Sequence, residues 1–231
     1  MKLAGLIQEG KWDSITSDAV KRVMNHVKKT KLKYDKGKKP GKLESDGFYE
    51  EVIHEYREPL SFYLSVRIKR EDMDGGFVMK AQELLYKSSD LSIVEVEIKI
   101  DPKDEPKIYT TLVSYLKDRL RHEIEHVTQH GSNRLPGRPK DTLQRVRRRM
   151  EKDPKNSWKY CLLPDEMPAM VHGMYAMAKH DKTPIDLAFS EQLDLEVKAG
   201  NITKQQKMIV MKKWIEYAKK HLTSAQFSKN Y

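Results

Sequence analysis

The chain has 231 residues, 38% hydrophobic and 34% charged, with a formal net charge of +10 and a pI near 9.4. That balance fits a water-facing globular protein with a real core and excludes a chain built from membrane spans, which need ~20 consecutive apolar residues. A single cysteine, Cys161, rules out an internal disulfide and a thiolate metal cage. The opening Met1–Ile7 run is too short for a signal peptide, so a cytoplasm-like compartment is expected, or host cytoplasm or virion for a phage-encoded chain. The sequon Asn201–Ile202–Thr203 is then expected to stay unmodified.

In chain order, Trp12, Ile15, Val20, Val23 and Met24 recur at loosely helical spacing and predict a helix within residues 1–27. Residues 28–46, rich in Lys, Gly and Pro, read as an exposed basic arm. Strict alternation then marks two half-buried strands. In residues 60–68, Leu60, Phe62, Leu64, Val66 and Ile68 share a face; in residues 92–100, Val94, Val96, Ile98 and Ile100 do. Asp74–Gly75–Gly76 is a turn, and residues 77–86 read equally as a strand or a short helix. From about Lys107 to His130, Leu112, Leu116, Leu120 and Ile124 repeat every four residues, an amphipathic helix stopped by Gly131. A loop (132–140), a basic helix (141–152) and helices over about 164–179, 184–198 and 204–222 complete the chain. The expectation is an α+β fold with a small antiparallel or mixed sheet and a mostly helical C-terminal half. Its segments are an N-terminal helix and arm (1–46), a metal-binding domain (47–180) and a helical extension (181–231).

The long helix carries His122–Glu123–Ile124–Glu125–His126, which fits His-Glu-x-x-His. Histidines four apart project from one helical face, so two imidazoles reach a single tetrahedral zinc. Glu123 stands beside the first ligand and is the expected general base for zinc-bound water, whose pKa zinc lowers towards ~7. His130 is two turns from His122, about 12 Å along a straight axis, too far for both to join His126 on one ion. It suits a helix-end cation favoured by the dipole.

The motif helix, following an alternating strand with a polar outer face, resembles the zincin metallopeptidases. The resemblance implies that the strand over residues 92–100 is an edge strand bordering a cleft, where extended polypeptide substrate pairs with it. The metzincin extension needs Gly and His where this chain has Gln129 and Ser132. Glu166, forty residues after His126 and near the start of the next apolar helix, resembles the downstream glutamate of gluzincins, which implies that His122, His126 and Glu166 hold zinc. The Pro-x-Glu-x-x-Ala character around it also resembles small predicted peptidases of bacteria and phages. Asp165 explains an acidic helix start equally well, and only one of the two need bind metal. The gluzincin pattern has Asp where Met170 stands, which leaves Asp118, one turn before His122, as a candidate to orient a ligand imidazole. His172 and Tyr175 are candidate donors to a developing oxyanion. Met167, Met170, Met174 and Met177 read as a core stripe, with thioethers filling irregular gaps.

The basic segments 28–42 and 134–149, with Arg145, Arg147, Arg148 and Arg149, offer a phosphate-binding surface, though no aromatic stacking pattern accompanies them. The expected function is a zinc-dependent hydrolase acting on a polypeptide. The alternative is a zincin-fold structural or nucleic-acid-associated protein, such as a phage particle protein, with weak or no catalysis.

Overall fold

The computed structural model describes residues 12–35, 47–55, 60–85, 92–129 and 156–229. The expected basic helix at 141–152, the basic segment 134–149, Gly131 and His130 lie outside the described residues. Among those described, no helix is long and apolar enough to cross a membrane.

The chain is α+β. Helix α1 (Asp13–Asp35) precedes four strands, β1 (Gly47–Glu55), β2 (Leu60–Arg70), β3 (Phe77–Leu85) and β4 (Ser92–Ile100). Then come α2 (Tyr109–Val127), a 3-10 turn (Ser157–Leu162), α3 (Glu166–Asp181), α4 (Ile185–Lys198) and α5 (Lys204–His221). Helix α1 runs eight residues into the stretch expected to be an arm. Lysine is a good helix former, and the chain breakers Gly37, Pro40 and Gly41 come only later. The buried guanidinium of Arg70 holds that extension. It donates to the Thr30 hydroxyl and the Val27 carbonyl at 3.0 Å each, and pairs with Glu105 at 2.8 and 3.0 Å.

The sheet is mixed, in the order β1-β2-β4-β3. Strands β1 and β2 are antiparallel, β2 and β4 parallel, β3 and β4 antiparallel. The faces expected from alternation in β2 and β4 are the buried ones. One open reading closes and one expectation changes. Residues 77–85 are a strand, and it is β3, not β4, that forms the sheet edge next to α2. Strand β4 is inserted between β2 and β3, so the link from β2 to β3 must cross its C-terminal end. Gly75 and Gly76, at φ 95° and 75°, make that crossing possible. Gly76 N–H and Met73 N–H are received by the carboxylates of Asp104 and Asp101.

Helices α1 and α2 cover one face of the sheet, and the stripe Leu112, Leu116, Leu120, Ile124 enters that core. The N-terminal helix therefore shares its core with the sheet. A second apolar core joins α3, α4 and α5 around Phe189, Leu193 and Trp214. Helix α5 begins with a capping box, Thr203 and Gln206 each receiving the other's backbone N–H. Helix α3 packs side by side with α2, which brings the two halves of the candidate site together.

Candidate metal centre

His122 and His126 lie one turn apart on α2, with their rings edge to face at 4.7 Å and 79°. Their Nε2 atoms stand 3.1 Å apart. Glu166, the first residue of α3 and fully buried, brings Oε2 to 3.5 Å from His126 Nε2 and 3.8 Å from His122 Nε2. The circle through these three atoms has a radius of about 2.0 Å, against zinc–nitrogen distances of ~2.0–2.1 Å and zinc–oxygen distances of ~2.0–2.2 Å. A single ion of zinc's size fits all three donors at once. Among the described residues, these are the His, Cys, Asp or Glu side chains that converge in this way.

The surroundings prepare the donors. His126 Nδ1 lies 3.2 Å from Gln129 Oε1, an acceptor, which places the ring proton on Nδ1 and leaves the Nε2 lone pair pointing into the cluster. Gln129 Nε2 in turn donates to the Asp165 carbonyl at 3.1 Å, tying the end of the motif helix to the residue before Glu166. Of the two neighbouring acids, Glu166 reaches the cluster, while Asp165 serves through its backbone. Gly173 lies at the α2–α3 crossing, where a Cβ would stand 2.6 Å from Asp118 Oδ1, 2.7 Å from Asp118 O and 3.3 Å from His122 Cβ. The missing side chain is what lets Glu166's helix approach so closely.

The two glutamates of the motif have different fates. Glu125 is buried against Arg121 at 2.8 Å, one turn back on α2. Glu123 is buried beside the sheet edge, and its carboxylate accepts the backbone N–H of Glu83 in β3. Burial pushes its pKa up to about 7; His126 and the Glu83 N–H pull it down, while Glu166 and the Glu83 carboxylate push it up. A carboxyl poised there suits proton transfer near neutrality.

Asp118 is buried at the Gly173 crossing, 3.6 Å from Arg119 Nε, and burial raises its pKa to about 6. It shares a small cavity with His122. The proposed oxyanion donors are placed elsewhere. His172 lies about 9 Å along α3 from Glu166 and about a third of a turn round it, and its Nε2 faces Tyr217 Oη at 3.5 Å. Tyr175 is about half a turn round, with its hydroxyl on Ser224 at 2.7 Å in the second core. Position on a shared helix was the only signal for either, and helical rotation turns both away from Glu166's face. Gln129, the Glu83 N–H and Gly173 carry no motif. Only Gln129, three residues after His126, stood at a spacing that a search for ligand-orienting groups would reach.

The lone thiol, Cys161, is pushed up to about 12 by burial first and by Glu196 second, so it is not a nucleophile at neutral pH. Compared with known protein families, curated proteins and solved structures, the chain finds no match.

Proposed function

We propose that the chain is a zinc-dependent hydrolase of zincin-like fold, acting on polypeptides, with zinc held by His122, His126 and Glu166. The three-donor triangle whose radius equals a zinc–ligand bond carries this reading. Structural zinc sites close with four protein ligands, whereas three leave a position for chemistry. Three converge among the described residues, and His122 is the most exposed of them.

Zinc bound there would act as a Lewis acid and make hydroxide available at neutral pH. The chain's own groups supply the rest. Glu123 accepts the proton of the attacking water and returns it to the departing amine, with its carboxylate held in place by the Glu83 N–H.

Strand β3 supports a polypeptide substrate. Because Glu83 directs its N–H to Glu123, away from β4, the alternation of an antiparallel pair turns the N–H and C=O of Ala81 and Met79 outward as well. A cleft of about 520 Å³ lies against β3 and the polar face of β4, lined by residues 79–82 together with Glu95, Glu97 and Arg119. An extended chain can add to that edge.

Metal analysis tests the reading. Wild type is expected to hold about one zinc per chain, lost in His122→Ala and Glu166→Ala and kept in Glu123→Gln, whose hydrolysis collapses. Wild-type protein without zinc refutes the site. Zinc without hydrolysis of any polypeptide favours the structural alternative. Repeating the assay with duplex DNA tests whether the +10 charge links the activity to nucleic acid.

A further inference from the structure

Helices α1, α2 and α3 meet around a pocket of about 370 Å³ that the proposed hydrolysis does not use. Cationic side chains line it from two helices: Lys117 from the middle of α2, and Lys179 and His180 from the last turn of α3. Ala176 adds only a methyl group to the wall. Among the described residues one carboxylate lines the pocket, that of Asp13, and Lys179 pairs with it at 2.8 Å. Lys117 and His180 have no ionic or hydrogen-bonded partner among the described residues. The third wall is the start of α1, the positive pole of a 23-residue helix, which brings Thr16 and the exposed Ser17. Thr16 is 3% exposed, and its N–H is spent on the Trp12 carbonyl at 2.9 Å. Its hydroxyl has no hydrogen-bond partner among the described residues. Buried hydroxyls in native proteins nearly always have one, because leaving the bond unmade is costly.

We propose that this pocket binds a phosphate group. With Asp13 offset by Lys179, Lys117 leaves the pocket net positive, and His180 adds a ring N–H. Hydroxyl donors complete the set at the end of α1, where a helix pole favours an anion. A planar carboxylate has two oxygens to offer, whereas a phosphate monoester has three beside its ester link. Three oxygens pointing apart suit donors that arrive from three helices, and charged partners make each such bond stronger than a neutral one. The proposal requires neither zinc nor hydrolysis and stands apart from the reading of the metal centre.

The test titrates full-length protein with inorganic phosphate and, in a second arm, glycerol phosphate, against chloride at equal ionic strength. Calorimetry is expected to show saturable binding, and the melting temperature should climb with phosphate concentration. Lys117→Gln should weaken binding about ten-fold or more, the effect of losing one hydrogen bond to a charged group. Thr16→Val should give a crossed result. Removing an unpartnered buried hydroxyl leaves the phosphate-free protein at least as stable as wild type, while phosphate affinity falls by about ten-fold. His122→Ala should bind phosphate as wild type does, which separates this pocket from an anion held by a metal. Melts in chloride establish that each variant is folded. Phosphate that binds no better than chloride overturns the proposal. So does equal affinity in wild type and either pocket variant, or binding that His122→Ala abolishes. Tighter binding of the ester than of inorganic phosphate assigns the pocket to a phosphorylated molecule, and the reverse order assigns it to the free ion.

Discussion

Replacing Gly173 by Ala sets two effects of known size against each other. On helical propensity alone, Ala in a helix is better than Gly by about 1 kcal/mol. The new Cβ, however, would stand 2.6 Å from Asp118 Oδ1 and 2.7 Å from Asp118 O. A carboxylate can rotate away, but the backbone oxygen belongs to α2 and cannot. Ordinary contact begins near 3.4 Å, so α3 must retreat by about 0.7 Å from that oxygen. Overpacking of this kind costs about 1–3 kcal/mol, which offsets or outweighs the propensity gain and leaves Gly173→Ala up to about 2 kcal/mol less stable. For a chain of this length that lowers Tm by up to about 8 °C. The same retreat carries Glu166 from the histidines and widens the three-donor circle from about 2.0 to about 2.3 Å, beyond a zinc–oxygen bond. Zinc affinity should fall about ten- to hundred-fold, the range seen when groups supporting a metal ligand are disturbed. Competition against a chromophoric chelator measures it, with thermal melts of the same samples. A variant that melts at or above wild type and binds zinc with unchanged affinity would show that the α2–α3 contact does not position Glu166.

Gln129→Ala removes both the acceptor for His126 Nδ1–H and the donor to Asp165, so zinc affinity should fall about ten-fold or more. Gln129→Glu, which keeps an acceptor for Nδ1–H, should bind zinc better than Gln129→Ala, and equal affinities in the same chelator competition would count against an orienting role. Asp118 sets a pH dependence, because burial raises its folded pKa to about 6 while the unfolded chain titrates near 3.9. Between about pH 4 and pH 6 the folded state keeps a proton the unfolded state has lost, so stability falls as pH rises and stays low above that window. Asp118→Asn escapes the loss and should gain up to about 3 kcal/mol relative to wild type between about pH 4 and pH 8. Urea titrations at both ends check this, and a stability difference between the two proteins that does not change with pH would exclude it.

What the residues announce by themselves is whatever repeats along one element. The buried faces of β2 and β4 follow from period-two alternation, and the core stripe of α2 from apolar residues every four positions. The pairing of His122 with His126 follows in the same way, because a separation of four on a helix is also a separation of one turn in space. Strand order obeys no such rule. Alternation is the same in a central strand as in an edge strand, and only pairing across the sheet shows β4 inside and β3 at the rim. The third donor sits between these cases. An acidic helix start forty residues on was visible, but Asp165 and Glu166 were equivalent until α3 packed on α2 and turned one side chain towards the histidines and the other residue's carbonyl towards Gln129. The same rotation removed His172 and Tyr175 from that face. The motif helix was thus determined by local chemistry, whereas its partners were decided by contacts between residues far apart in the chain, which leave no period to read.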